Sequence, residues 1–359
     1  MSLRLVEFMM IAVLALTSRS CRQNQPDASA PSVPEKEDTV SESVVHTIAM
    51  VGDMMLGNDY VRVSLPPNDG KDIFCDAAEI LKSADIAAGN LEGTIGTADK
   101  CRKDLSKPMA FAFRTPESYT HLLSDAGFDF VNIANNHIYD FFDDGAEQTE
   151  RALEKAGIMF TGRPECRYAV KEVNGSKFGF CSFGHEKYTL RTYEDSTVVS
   201  ILRELRPLCD VLIVCFHGGA EGQDKSRLPD EAEYYCGDNR GHLRRFAHLC
   251  IDNGADIVFG SGPHVPRCVE LYNKRFIAYS LGNFVSGWGL GCNGKSAYAP
   301  LIEIKVDGNG EYLSGTIHSL KTVPKAGPRT DSTHTVSKHI MELTLADIAP
   351  ENVPQIELR

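Results

Sequence analysis

The residues in this 359-residue chain that could do chemistry fall in short polar clusters, each just behind an apolar run. The densest is Asn135-Asn136-His137 with Asp140 close behind, directly after the apolar stretch 128–134. A buried strand ending in two amides, an imidazole and a carboxylate must find partners for them, and a metal or polar substrate would supply them. An Asn-rich turn bonding its own backbone is the plainer alternative for that stretch alone. The remaining clusters are Gly52-Asp53, Asn90-Leu91-Glu92, His217 through Glu221, Gly260 through His264, and Gly282-Asn283.

Asp53, Glu92, Asn136, His137, His217 and His264 together offer carboxylates, imidazoles and an amide oxygen. That donor set suits a divalent transition metal (Mn, Zn or Fe), not a thiolate cluster or a calcium cage. Taken singly, each residue also reads as a helix cap, a surface carboxylate or a half-buried histidine. Their shared position is what argues for one site.

Strands and helices must position them. Apolar runs place strands at 46–51, 85–89, 128–133, 158–161, 168–173, 177–182, 209–216, 256–259, 265–272, 275–280, 301–306 and 312–320, with 209–216 apolar almost throughout. Helices are expected at 73–83, 116–126 with Thr115 as N-cap, 144–156, 197–205 and 240–253. Hairpin turns fall at Asn174-Gly175, Asn273-Lys274 and 307–310. Alternating units followed by hairpins predict two stacked sheets flanked by helices. Where helices cross over between strands, the strand carboxyl ends meet along one edge, and ligand sites form there.

The formal net charge of −12, with no basic stripe, argues against a nucleic-acid partner. An anionic substrate stays compatible if a metal supplies local positive charge. Residues 1–21 carry a short apolar segment ending at Cys21, too short to span a bilayer permanently, and read as an export signal. Cys21 is placed like the lipidation site of bacterial lipoproteins, which implies an exported, membrane-anchored protein of the cell envelope. Residues 22–44 are polar and Pro-rich, a tether. Residues 45–323 then form one large domain, with 324–359 a tail packed on its outside. Cys181, Cys209, Cys215 and Cys250 lie in apolar runs as core fillers. Cys75, Cys101, Cys166, Cys236 and Cys292 lie in polar sequence, where an exported protein could pair some of them.

The blocks GDMMLG (52–57), NLEG (90–93), FRTPE (113–117), ANNHIYD (134–140), FHGGAEG (216–222), SGPH (261–264) and YSLGNF (279–284) resemble the CapA family of poly-γ-glutamate capsule-synthesis proteins, within the calcineurin-like metallophosphatase superfamily. The resemblance implies an α/β fold, a four-layer α/β/β/α sandwich of the metallo-dependent phosphatase type. It implies one or two divalent ions on Asp53, Glu92, Asn136, His217 and His264, with His137 as catalytic acid and Asp140 as its orienter. Asn90, Asn135, Glu221 and Asn283 would bind substrate. Two family positions depart from the pattern: Met55 stands where a histidine is usual, and Ser261-Gly262 replaces an imidazole-bearing pair.

The implied activity is a metal-dependent hydrolase, of a phosphoester or a γ-glutamyl amide, in which a bound water of lowered pKa attacks. The alternative is a non-catalytic protein that binds or tethers an anionic polymer through a decayed site. The implied partners are an anionic polymer or small-molecule substrate, the membrane, and a capsule-synthesis apparatus.

Overall fold

The computed structural model describes residues 44–359. The export segment, Cys21 and residues 22–43 lie outside that range.

The first sheet is built from β1 (Val45–Met54), β2 (Ile86–Leu91), β3 (Phe130–Asn132) and β4 (Met159–Thr161), all parallel and in that order. The second takes β5 (Tyr168–Val173), β6 (Ser176–Phe183), β7 (Val211–His217), β8 (Ile257–Ser261), β9 (Val269–Tyr272) and β10 (Arg275–Ala278), in the order β9-β10-β8-β7-β6-β5. The chain then returns to the first sheet. There β11 (Asn283–Val285) joins the carboxyl end of β1, and β12 (Leu301–Asp307), β13 (Tyr312–His318) and β14 (Glu357–Leu358) extend its other side.

Strand alternation sorts the apolar residues into layers. Ile48 and Met50 of β1 face Phe178 and Phe180 of β6 and Ile213 of β7 in a core between the sheets. Ala49 and Val51 point the other way, onto α1 (Ala78–Ser83), α2 (His121–Ala126) and α3 (Phe142–Lys155). Leu212 and Val214 of β7 likewise face α4 (Asp195–Leu205) and α5 (Leu243–Asp252). Helices, sheet, sheet, helices: the four-layer α/β/β/α sandwich is the observed architecture.

Several boundaries differ from expectation, each for a local reason. The helix expected from residue 73 begins at Ala78, after a run of turns. Thr115 does not cap a helix. It lies in the two-residue strand Arg114–Thr115, and its hydroxyl donates to the Gly57 carbonyl. Pro116 is extended at ψ 137°, so the segment starts as a 3-10 turn, Glu117–Tyr119, before α2. Arg240 belongs to a hairpin of Glu233–Tyr235 with Asp238–Gly241, and Gly241 at φ 92° halts any helix there. α5 starts afterwards, with the His242 ring accepting from the Arg245 amide. The hairpin turns do fall where expected, with Asn174 and Gly175 at φ 52° and 81°.

The segment after residue 323 is more than an outer cover. Its helix α6 (Thr335–Asp347) sends Val336 and Ile340, both fully buried, into the core between the sheets. Cys181, Cys215 and Cys250 are buried fillers and Cys209 is half-buried, while Cys75, Cys101, Cys166, Cys236 and Cys292 are all free thiols.

Candidate metal centre

Asp53 sits near the end of β1, paired in register with Asn90 of β2 on one side and Asn283 of β11 on the other. Gly52 just before it lets this crowding happen: a Cβ there would lie 1.9 Å from the Gly282 carbonyl oxygen. Glu92 follows β2, its amide held by the Met54 carbonyl at 2.9 Å. His217 ends β7 of the opposite sheet, beside Ser261 of β8. Asp53, Glu92 and His217 therefore meet across the sandwich, each with a ligand atom within 4.8 Å of the others'. His217 Nε2 lies 3.2 Å from Glu92 Oε2 and 4.0 Å from Asp53 Oδ1.

The residues present fit a cation. Both carboxylates are essentially enclosed, and the Asn90 amide donates to Asp53 Oδ1 and to Glu92 Oε2, each at 2.7 Å. Among the described residues, Glu92 Oε1, both His217 ring nitrogens and Asn136 Oδ1 are buried without a hydrogen-bond partner. Orphaned buried polar atoms are costly, and a cation between Asp53, Glu92 and His217 would give Glu92 and one His217 nitrogen a partner. Burial works against the charged form of Glu92, yet the His217, His137 and His264 imidazoles outweigh it and hold the carboxyl below the usual range.

His264 reaches the same carboxylate from the loop after β8. It sits at φ 59°, a left-handed conformation uncommon for a residue with a side chain. Its Nδ1 lies 3.0 Å from Asp53 Oδ2 and 2.9 Å from Asn283 Oδ1, and its Nε2 3.9 Å from Glu221 Oε2. Burial lowers the His264 pKa, but the Asp53 hydrogen bond and charge, with Glu221 and Glu92 beyond, push it up to about 9.

His137 approaches Glu92 Oε1 to 3.8 Å through Nε2, while its Nδ1 lies 2.8 Å from Asp140 Oδ2. That is the contact an orienting carboxylate makes. Asp140 in turn accepts the Phe113 amide at 2.8 Å, and Lys103 Nζ lies 2.6 Å from its other oxygen and 3.1 Å from His137 Nδ1. The Phe113 ring packs on the imidazole with centroids 4.2 Å apart. In front of this cluster lies a cleft of about 270 Å³ whose walls include Lys103, Asn136, His137, Glu186, Glu221 and Arg240.

Three amides assigned to substrate by resemblance have other tasks. Asn90 spends its oxygen on the Asn132 and Asn135 amides and its nitrogen on the two carboxylates. Asn135 donates to the Leu91 carbonyl and accepts the His137 and Ile138 amides. Asn283 donates to the Gly291 and Ser296 carbonyls. All three are buried, and these hydrogen bonds hold the site together. Glu221 keeps its place in the cleft wall, paired with Arg240 at 2.9 Å.

Sequence reasoning missed Lys103, Arg240, Asn132 and His185. His185 follows β6, and its Nδ1 lies 3.4 Å from the His217 carbonyl. Burial, reinforced by the Arg240 charge, pushes its pKa down to about 2, so the ring is neutral. The signal for His185 was present: it too follows an apolar strand. Lys103 and Arg240 come from loops and a hairpin with no such pattern. The two departures also have places. Met55 is fully buried against Phe113 and Leu290, while the Ser261 hydroxyl is buried without a partner among the described residues.

A four-layer sandwich with carboxylates and imidazoles converging at its strand ends is the architecture of the metallo-dependent phosphatase type. Within that class, the chain belongs to the family of bacterial capsule synthesis proteins PGA_cap, whose profile matches residues 47–288. It is 28% identical over 271 residues to the PGA biosynthesis protein CapA of Bacillus subtilis (strain 168), covering 70% of this chain and 67% of that one. It is also 28% identical over 264 residues to the capsule biosynthesis protein CapA of Bacillus anthracis, covering 67% of this chain and 60% of that one. Among solved structures, the 5'-nucleotidase precursor from Thermus thermophilus is similar at 12% identity and a TM-score of 0.44, over 84% of this chain and 58% of that one.

Proposed function

We propose that the protein is an exported, membrane-tethered, metal-dependent hydrolase that acts in the synthesis or processing of a capsule polymer such as poly-γ-glutamate. The observation that carries the catalytic part is the meeting of Asp53, Glu92 and His217 across two sheets, with buried atoms left over for a cation. Family membership supports the polymer, and the apolar segment ending at Cys21 supports the export and the tether.

Asp53, Glu92 and His217 would hold a divalent ion, with Asn136 and His264 completing its surroundings. Such an ion supplies Lewis-acid polarisation of a phosphoryl or carbonyl oxygen and acidifies water. Asn90 keeps the two carboxylates together. His137, fixed by Asp140, lines the cleft and would protonate the leaving group. Arg240, in the cleft wall beside Glu221, would face an anionic substrate.

Met55 packed in an apolar cluster removes one possible ligand, which favours a second reading. In it, the chain binds a polyanion without turning it over.

Metal-loaded wild type and His137→Ala assayed on phosphomonoesters and γ-glutamyl amides separate the two. A general acid is worth about 10²–10⁴-fold, so His137→Ala should lose that much turnover at unchanged metal content. No turnover of either substrate class by the metal-loaded wild type favours the binding reading.

A further inference from the structure

A second pocket of about 230 Å³ opens beside the polar cleft, and the two share Ala110 and Phe111 as a common wall. Its other walls are strongly apolar and aromatic: Tyr60, Leu105, Phe113 and Trp288 line it. Phe113 connects it to the chemistry, since the same ring packs on His137 at 4.2 Å between centroids. The pocket is thus one side chain away from the candidate acid.

The polar equipment here is sparse. Asn58 is consumed by its own loop, donating to the Tyr60 and Arg62 carbonyls. The Arg62 guanidinium lies over the Phe111 ring at 5.4 Å and has no carboxylate partner among the described residues. The Trp288 side chain is 2% exposed, and its indole N–H is buried with no acceptor among the described residues. Among the lining residues, Val61 is 67% exposed, in left-handed backbone at φ 53°. A β-branched residue held that way is a conformational outlier. An exposed β-branched side chain in strained backbone at the pocket fits a ligand that covers it.

Aromatic walls and a free guanidinium match an anion that also carries an apolar group. The volume is below the roughly 300–1,000 Å³ of a site for a whole drug-sized ligand, and suits one ring-sized substituent. We propose that this pocket is a substrate subsite for an apolar, ring-sized group on an organic anion whose reacting end lies in the adjoining polar cleft. The inference rests on the reading of that cleft as the reaction site, and it narrows the substrate to an ester or amide with an apolar substituent.

Trp288 is the one tryptophan in the chain, so its fluorescence reports on the pocket directly. The full-length, zinc-loaded protein is titrated with phenylphosphonate and with methylphosphonate, before and after chelation. Burying a phenyl group should make phenylphosphonate bind at least about tenfold tighter. Ser64→Phe, which fills the pocket from a half-exposed wall that the polar cleft does not share, should abolish that preference and leave methylphosphonate affinity unchanged. Leu105→Ala, in a wall of this pocket alone, should weaken phenylphosphonate alone. Equal affinities for the two ligands, no response to phenylphosphonate, or a preference that survives Ser64→Phe overturns the subsite. Chelation tests the other reading separately. If it weakens neither ligand, the metal assignment fails, while the phenyl preference still decides the subsite.

Discussion

Glu92 Oε2 and His217 Nε2 lie 3.2 Å apart in full burial, although Glu92 follows β2 of one sheet and His217 ends β7 of the other. The site is therefore assembled only when the two sheets close on the core between them. A cation bound by the folded state alone adds its binding free energy to the stability of the sandwich.

Replacing Glu92 by glutamine keeps the shape and an acceptor for Asn90 while removing the charge. Glu92→Gln should weaken divalent-metal affinity by at least about tenfold, with the metal-free protein less stable than wild type, because the folded state favours the ionised carboxylate. Calorimetric metal titration and chemical denaturation measure the two sides. Unchanged affinity would exclude Glu92 from the metal's surroundings.

His264 makes the metal-free protein and its metal affinity respond to pH in opposite senses. Its folded-state pKa is raised to about 9, so the stability it contributes is fully present below the ordinary histidine value and is lost as pH rises through 9. The loss is on the order of 3 kcal/mol. Metal competes with that proton, so apparent affinity should rise with pH across the same window. Denaturation midpoints of chelated protein between pH 6 and 9 should fall in wild type and stay flatter in His264→Gln.

Gly52→Ala tests positioning without touching a ligand. The new Cβ would sit 1.9 Å from the Gly282 carbonyl, so β1 and β11 must separate and carry Asp53 with them. Destabilisation of about 1–3 kcal/mol is expected, with loss of metal from the protein that still folds. Full metal content would mean that the strands tolerate the shift.

The sequence showed the layers because strand alternation is a local property. The run at 209–216 is apolar nearly throughout, as a strand buried on both faces is. The sequence showed Asp53, Glu92 and His217 because each terminates an apolar run. It did not show that Asn90, Asn135 and Asn283 bond inward, since an amide at a strand end looks the same whether it faces a ligand or a neighbour. Lys103 and Arg240 were invisible for a related reason. Their position depends on where a loop and a hairpin fold back, and no periodicity records that. α6 looked peripheral because its buried Val336 and Ile340 are diluted by polar neighbours.

The most direct test of the central claim is the metal content of full-length protein purified without chelator, beside the Asp53→Ala/His217→Ala double variant. About one or two equivalents of transition metal in the wild type, absent from a folded double variant, is the predicted result. No metal in either protein, with no uptake of Mn²⁺ or Zn²⁺ by the folded wild type, would contradict it.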